Sequence, residues 1–181
     1  MIQSKSDLRK YLQEDEKALY PNGGNRFQKI KDPILRFEVL LRKCEYYRNC
    51  KGGYHSLRFL FNKWRLRRLA LTLNFSIPEN CFGEGLSIAH YGNIIVNPNA
   101  RIGRNCRIHV GVNIGANKNE KDVPTIGDNV YIGPGAKIFG NISIGNNVKI
   151  GANAVVLQDA PDNAILVGVP ARNIAEEKKG E

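Results

Sequence analysis

The sequence predicts a mainly β protein, a parallel β-helix of about four coils that follows a small α-helical region. Two observations predict this fold class. Over the second half of the chain an aliphatic or aromatic residue returns every six positions, whereas before residue 74 the apolar residues follow helical spacing. We therefore divide the chain into a helical region (1–73), a β-helix domain (74–174) and a charged C-terminal tail (175–181).

The helical region begins with two predicted helices. Ser4 or Ser6 can cap the first, which runs to about Tyr20, because a serine hydroxyl accepts a free amide of the first helical turn. A loop rich in glycine and asparagine follows at 21–25. Pro33 suits the first turn of the second helix, whose apolar face comprises Ile34, Phe37, Leu40, Leu41 and Cys44.

The third predicted helix, 54–73, combines an apolar stripe with a basic face. The stripe comprises Leu57, Leu60, Phe61, Trp64 and Leu69, and the basic residues are Arg58, Lys63, Arg65, Arg67 and Arg68. We expect the stripe to pack on the first coil and cover its open edge, because every β-solenoid must protect its ends. A second hypothesis, compatible with the first, is that the arginine face contacts anionic lipid.

The six-residue repeat defines the β-helix. Its repeat starts are Phe82, Ile88, Ile94, Ile102, Ile108, Ile114, Ile126, Ile132, Ile138, Ile144, Ile150 and Val156. This period fits a prism in which each hexapeptide forms one flat side. We expect the first residue of each repeat to point into the core, and glycine or asparagine to occupy corners where φ is positive. The hexapeptide pattern is typical of left-handed winding, a known exception to the right-handed crossover rule.

Two steps in the repeat are longer than six residues. The step from Ile94 to Ile102 is eight residues, so two residues should bulge at a corner. The step from Ile114 to Ile126 is twelve residues, and the polar segment 117–124 inside it is predicted to leave the wall as a loop.

The net charge of +10 lies entirely in the helical region. Residues 1–73 contain 17 Lys and Arg against 7 Asp and Glu, whereas residues 74–181 contain 10 of each kind. Charge concentrated in this way attracts polyanions such as nucleotides or phospholipid surfaces. The interleaved aromatic and basic residues of a nucleic-acid platform are missing, so we predict no nucleic-acid partner.

The sequence also predicts a cytoplasmic protein, with peripheral contact to the inner face of the membrane through helix 54–73 as an added hypothesis. No uncharged apolar run is long enough to cross a bilayer, and the N-terminus lacks the apolar segment of a secretory signal. The four cysteines (Cys44, Cys50, Cys81 and Cys106) have neither CxxC spacing nor a dense framework, so we expect reduced thiols.

Three histidines are the candidates for catalysis. His55 lies on the basic helix, and we interpret it as a structural or surface residue. His90 is the third residue of its repeat and should face outward, which suits a cleft better than a core. His109 belongs to the repeat three sides later, one coil below at about 4.8 Å. Val110 should therefore lie beneath His90, and His109 can either share the cleft or serve as a hydrogen-bonding corner residue.

Several motifs resemble those of a known family. They are the segment Ile-Ala-His-Tyr-Gly-Asn-Ile-Ile-Val (88–96), the eight-residue step, the loop after Gly115 and the closing Val-Gly-Val-Pro-Ala-Arg (167–172). With them the chain resembles the hexapeptide-repeat acyltransferases, and within these the serine acetyltransferase branch. The resemblance implies acetyl-CoA as acyl donor, a homotrimer with active sites between prisms, and direct attack of a hydroxyl assisted by His90, because imidazole titrates near neutral pH.

The chain departs from the serine acetyltransferase pattern at three places. Its β-helix begins with Phe75-Ser76-Ile77-Pro78 where the branch usually has Asp-Ile-His-Pro, Ala89 precedes His90 where the branch has Asp, and the loop has Val123 where the branch has His. Without these residues, the chain resembles polysaccharide-cluster O-acetyltransferases of the colanic acid and capsule type. We therefore expect the hydroxyl of a saccharide in surface polysaccharide biosynthesis (capsule, O-antigen or exopolysaccharide).

Three alternatives remain open. The first is L-serine O-acetylation in cysteine biosynthesis. The second is a γ-carbonic-anhydrase-like metal protein, which would need three histidines around one zinc. The third is a non-catalytic scaffold. In the main hypothesis no metal is required.

The resemblance also implies where CoA binds. CoA should follow the groove between adjacent prisms, with its pantetheine arm pairing with exposed backbone at Gly115-Ala116, Gly133-Pro134 and Gly151-Ala152. Arg172 is placed to bind a phosphate, and Lys178 and Lys179 can add charge. The small residues at these corners are explained equally well by steric requirements of the coil.

Overall fold

The computed structural model describes residues 1–50, 52 and 54–177. Its helices are α1 (Lys5–Leu19), α2 (Arg26–Lys31), α3 (Pro33–Asn49), α4 (His55–Leu73) and the short α5 (Ile174–Glu177). The strands in this part of the chain are β1 (Phe75–Ser76), β2 (Ser87–Ile88), β3 (Ile94–Val96), β4 (Arg101–Ile102), β5 (Arg107–Ile108), β6 (Asn113–Gly115), β7 (Thr125–Ile126), β8 (Tyr131–Ile132), β9 (Lys137–Phe139), β10 (Ser143–Ile144), β11 (Lys149–Ile150), β12 (Val155–Val156), β13 (Ile165–Val167) and β14 (Arg172–Asn173).

The three predicted helices are confirmed. The Ser4 hydroxyl accepts from the Asp7 amide and caps α1, and α3 begins at Pro33 with Asp32 as its cap. The short helix α2 was not predicted. Asn25 and Gln28 form a capping box at its start, a local signal that the neighbouring loop obscures in the sequence.

The strands form a left-handed β-helix with three parallel faces. One face has the strand order β1-β3-β6-β9-β12, a second β4-β7-β10, and the third β2-β5-β8-β11-β13, which β14 joins in antiparallel orientation. The predicted repeat is confirmed, since each repeat start from Phe82 to Val156 is buried. β1 and β13 extend the coil beyond the hexapeptide series at its two ends.

The corners of the prism behave as predicted. Asn105, Asn129 and Asn147 have positive φ values of 55°, 59° and 57°, a region that asparagine tolerates better than most residues. Their side chains form a ladder along one edge, in which each amide nitrogen donates to the amide oxygen of the next coil. The segment 117–124 forms the predicted loop, and its end returns to the wall with Val123 buried.

The open end of the first coil is covered by polar side chains from α1 and α3. Asp15 accepts hydrogen bonds from the amides of Gly85 and Leu86 at 2.8 and 2.9 Å. Glu38 accepts from the amide of Ile88 at 3.2 Å. These carboxyl groups occupy the place that carbonyl groups of a preceding coil would take, so they satisfy an edge that would otherwise carry unpaired backbone groups.

Arg42 completes this polar cap. Its guanidinium, which is fully buried, donates to the carbonyls of Phe82 and Gly83 at 3.0 and 2.6 Å. It also pairs with Asp15 at 2.7 Å and Glu45 at 3.0 Å. The cap therefore consists of one buried cation between carboxylates, all of them bonded to one another or to the coil.

The prediction that the apolar stripe of α4 packs on the first coil is wrong for four of its five residues, because only Leu69 packs against the core. Leu57, Leu60, Phe61 and Trp64 are 69, 63, 59 and 59% exposed. Instead α4 packs through its other side, where Leu66 and Leu73 are buried. The polar cap from α1 and α3 already covers the coil, so α4 leaves its stripe facing outward.

Candidate active site

His90 lies at the corner between β2 and β3. Ile88 is buried in the core, and the chain then turns away from the wall so that His90 is exposed, as predicted. Gly92 forms the turn with a φ of 134°, and its amide donates to the carbonyl of Leu73 at the end of α4 at 2.9 Å. A Cβ at this position would lie 2.5 Å from Val110, so the turn that displays His90 requires glycine.

His109 lies one coil below in the predicted register. Ser87 pairs with Arg107 and Ile88 with Ile108, which places His109 beneath Ala89 and Val110 beneath His90. The two imidazole rings are 6.4 Å apart between centroids. The structure therefore brings together the two histidines that the sequence nominated.

Tyr131 is a third member of this cluster. It lies one coil below Arg107 in the strand register, and its ring centroid is 5.0 Å from that of His109. Tyr131 was not among the site residues predicted from the sequence. Writing the coils in register would have placed this outward aromatic residue beside the histidines, because its neighbour Ile132 is a repeat start.

His109 has a buried ring nitrogen without a partner. Its Nε2 atom is shielded from solvent and forms no hydrogen bond within the described part of the chain. Burial lowers the pKa of His109, and electrostatic interaction with Arg107 and His90 lowers it further. The ring is therefore neutral at pH 7. A buried polar atom of this kind needs a hydrogen-bond partner, which a bound molecule could supply.

The predicted CoA residues Gly133-Pro134 and Gly151-Ala152 lie below the histidines on the same edge. The register of β5, β8, β11 and β13 runs from His109 to Gly133, then Gly151 and Val167. β14 pairs Arg172 with Val167. One edge of the prism therefore connects His109 to Arg172 through two glycines.

The amides of these two glycines, which we predicted to pair with a ligand, are already bonded within the coil. The amides of Gly133 and Gly151 donate to the carbonyls of Ile150 and Leu166, both at 2.8 Å. A Cβ at Gly133 would lie 2.8 Å from the Ile150 carbonyl oxygen. Close approach of the next coil thus explains glycine at 133, and the amides of both glycines are used within the coil.

Gly115 and Ala116 lie elsewhere. Gly115 ends β6, which belongs to a different face of the prism from β8 and β11. A Cβ on Gly115 would lie 2.6 Å from the Phe139 ring, so packing accounts for this glycine. Within one chain the structure does not bring the pair to the edge that holds the histidines. Lys178 and Lys179 lie outside the described residues.

His55 is separate from the other two histidines. Its Nδ1 atom lies 2.6 Å from the Cys50 carbonyl oxygen, and its ring packs against Tyr46 and Tyr47. Within the described ranges, no three His, Cys, Asp or Glu side chains are grouped so that they could hold a metal ion. The four cysteines are free thiols there, and burial raises the pKa of Cys106 to about 12.

We find no helix that could cross a membrane in the part of the chain that the structure describes. None of the helices in residues 1–50, 52 and 54–177 combines the length and apolar character that crossing a bilayer demands.

Comparisons with known proteins agree with this geometry. The family model described as bacterial transferase hexapeptide (six repeats) matches residues 124–158. A serine acetyltransferase of Synechococcus elongatus is 43% identical over 99 residues, which cover 54% of this chain and 41% of that protein. The chain thus spans less than half the length of this curated relative.

Solved structures match over more of the chain. The crystal structure of serine acetyltransferase from Brucella abortus strain S19 is 30% identical, with a TM-score of 0.73 over 91% of this chain and 67% of that one. A serine acetyltransferase in complex with CoA is 25% identical, with a TM-score of 0.75 over 93% of this chain and 70% of that one. The similarity therefore includes most of the helical region as well as the coils.

Proposed function

Because the chain belongs to the hexapeptide-repeat acyltransferases, in their serine acetyltransferase-like branch, we propose that it is an acetyl-CoA-dependent O-acetyltransferase. The observation that carries the proposal is the pair His90 and His109. Their ring centroids lie 6.4 Å apart at one corner of the prism. A flat edge begins at this corner and ends at Arg172.

His90 acts as the general base in this proposal. It takes the proton from the acceptor hydroxyl, and the oxygen attacks the thioester carbonyl carbon. As the tetrahedral intermediate collapses, the carbon–sulfur bond breaks, and the thiolate of CoA takes the proton from the imidazolium. The acetyl group has then moved to the acceptor oxygen, and His90 is again neutral.

His109 binds the acceptor. Its neutral ring has a buried Nε2 atom with no partner among the described residues, so a hydroxyl of the acceptor can complete its hydrogen bonding. No hydrogen bond joins His109 to His90 in this part of the chain, which argues against a role in orienting the base. Tyr131 packs against the ring of His109 and holds its position.

CoA lies along the edge from His109 to Arg172. Four strand steps separate these residues in the register, a length of about 19 Å at the spacing of parallel strands. An extended pantetheine arm can follow this edge because Gly133 and Gly151 carry no side chains. Arg172 is exposed at its far end, where a guanidinium can bind a phosphate.

A neighbouring copy of the chain completes the site in this proposal. His90 is exposed in a single chain, whereas acyl transfer from a thioester needs water to be excluded. A homotrimer would cover the corner and bring another face, including Gly115 and Ala116, towards CoA. Light scattering after size-exclusion chromatography tests this, and a stable active monomer would contradict it.

The relatives support L-serine as acceptor, which ranked second in the sequence analysis, over a saccharide hydroxyl. The matched proteins and structures are named serine acetyltransferases. One observation favours the saccharide: Ala89 precedes His90, and no carboxylate in the described ranges forms a hydrogen bond with either site histidine. An amino acid needs an anionic or hydrogen-bonding partner for its ammonium group, whereas a sugar does not.

Thiol release from acetyl-CoA tests the chemistry. We expect His90→Ala to lower kcat by about 10²- to 10⁴-fold, the usual contribution of a general base. His55→Gln is the matched control and should keep full activity, because that ring contacts only the helical region. Unchanged turnover in His90→Ala would overturn the mechanism.

The acceptor is tested with L-serine and a panel of nucleotide-linked and lipid-linked sugars. Turnover with L-serine alone supports the serine acetyltransferase reading and removes the saccharide hypothesis. Turnover with a sugar alone does the reverse. We expect His109→Ala to raise KM for the acceptor more than for acetyl-CoA, because His109 contacts the acceptor. Equal rises in both KM values would contradict that assignment.

A further inference from the structure

The outer side of α4 exposes large apolar side chains, and we redefine the stripe by them as Leu57, Leu60, Phe61, Trp64 and Leu71. Leu71 takes the place of Leu69, which packs against the core. Leu71 is 75% exposed, and the other four are at least 59% exposed. Their spacing of three, four and seven residues places them on one side of the helix. Monomeric proteins seldom expose so many large apolar residues together, so the stripe calls for a partner.

Cations flank this stripe. α4 carries five basic and no acidic residues, and Lys63 pairs with Glu79. Arg58, Arg65, Arg67 and Arg68 form no ion pair with any described residue. Arg65 lies over the Phe61 ring at 5.6 Å and Arg68 over the Trp64 ring at 5.9 Å.

Two adjoining grooves extend the same surface towards α3 and α2. Their volumes are about 280 and 190 Å³, and both are lined by Arg36, Leu40 and Arg65. Among the other lining residues are Lys29 and Lys43, and none is acidic. The grooves thus repeat the pattern of the stripe, with apolar walls and a basic rim.

We propose that this outer surface of the helical region docks on an anionic lipid bilayer. A helix with exposed aromatic and leucine side chains and a basic border lies in the plane of a membrane interface, with its apolar side chains among the acyl chains. Tryptophan favours this depth. The unpaired arginines meet anionic headgroups, which attract each basic residue near the surface.

Charge argues against the same face of a second copy of the chain as the occupant. Pairing of identical faces about a two-fold axis would place the basic residues of one α4 opposite those of the other. Since α4 has no acidic residue to pair with them, such a contact would be repulsive. An anionic surface supplies the missing opposite charge.

Docking would also place the bilayer close to the His90 corner. The stripe ends at Leu71. Two residues later, the carbonyl of Leu73 accepts a hydrogen bond from the amide of Gly92, which is two residues from His90. This inference does not rest on the proposed acyltransferase function, because it concerns the outer side of α4 alone.

The chain contains a single tryptophan, Trp64, so its fluorescence reports on this surface. The full-length protein is titrated with vesicles of phosphatidylcholine alone and of phosphatidylcholine with phosphatidylglycerol. We expect a blue shift, quenching by brominated acyl chains and co-sedimentation with the anionic vesicles only. Raised salt should weaken the initial attraction.

Two double variants separate the contribution of charge to membrane binding from that of the apolar side chains. Arg65→Gln/Arg68→Gln should lower the partition coefficient about thirtyfold, as expected for two basic residues at an anionic surface. Leu60→Ser/Phe61→Ser should lower it by about tenfold or more. Lys118→Gln/Lys121→Gln, on the exposed loop of the β-helix, removes the same charge and should leave binding unchanged.

Three outcomes would overturn the proposal. The first is no spectral shift and no co-sedimentation at low ionic strength. The second is equal loss of binding in the loop variant, which would show a general charge effect. The third is a shift of Trp64 fluorescence that follows protein concentration without lipid and disappears in Leu60→Ser/Phe61→Ser, which would identify a second copy as the partner.

Discussion

The inner and outer sides of the helical region use charge in opposite ways. On the inner side Asp15, Arg42 and Glu45 are buried, and each is bonded to another or to the first coil. On the outer side the arginines of α4 are exposed and border apolar side chains that are each at least 59% exposed. The inner side is a polar end-cap for the β-helix, whereas the outer side takes no part in that end-cap.

This difference shows that a β-solenoid end need not be closed by an apolar stripe. The exposed edge of the first coil consists of backbone donors and acceptors, and these are matched by carboxylates and a guanidinium in the places of missing backbone groups. An apolar helix face would have buried those groups without partners, at a cost of about 1–3 kcal/mol for each one.

The largest expected effect comes from Arg42→Met. The change leaves the buried carboxylates of Asp15 and Glu45 without their cation, which typically costs about 3–5 kcal/mol. Arg65→Met makes the same change on the outer side, where the cation is exposed, and should leave stability unchanged. Urea denaturation of both variants measures the difference. Equal losses would show that the two sides do not differ in the way we describe.

The second effect depends on pH and arises at Glu38. Burial raises the pKa of this carboxyl well above its ordinary value of 4.5, and the nearby negative charge of Asp15 raises it further. Above pH 4.5 the unfolded chain therefore loses a proton that the folded chain keeps. The stabilising contribution of Glu38 is complete below that pH and is lost as the pH rises towards the folded pKa.

Glu38→Gln removes this dependence while keeping an oxygen that can accept from the amide of Ile88. Relative to the wild type, the variant should gain stability as the pH rises above 5, by up to about 1.4 kcal/mol per pH unit. Chemical denaturation between pH 5 and 8 measures it. Glu120→Gln, on the exposed loop, is the control and should run parallel to the wild type. A parallel line for Glu38→Gln would contradict the burial of a neutral carboxyl.

Much of the β-helix could be predicted from the sequence because its core follows a single rule. Every repeat start is a large apolar residue, and coil stacking makes each such residue buried in the same way. The register between His90 and His109 followed from the same counting, because the eight-residue step between them is visible in the sequence. Tyr131 was harder, since the loop at 117–124 lies between its coil and that of His109.

The end-cap and the outer side of α4 could not be predicted in this way. A sequence pattern assigns charged residues such as Asp15, Glu38 and Arg42 to the solvent-exposed surface. They are buried because they lie over unpaired backbone groups of the first coil. The stripe of α4 was assigned to the core because apolar spacing indicates a face but not what covers it. Leu66 and Leu73, which do pack inward, are apolar residues of the same helix, and the sequence does not distinguish them from the exposed ones.

The smallest expected effect is on the outer stripe. Leu60→Ala should change the free energy of unfolding by no more than about 0.5 kcal/mol, because the side chain is 63% exposed. Leu41→Ala makes the same change in α3 at a fully buried position and should cost about 2–5 kcal/mol. A large loss for Leu60→Ala in dilute protein without lipid would show that the stripe is covered in solution. The outer side would then be an interface between copies, and its exposed apolar side chains would no longer be available to a membrane.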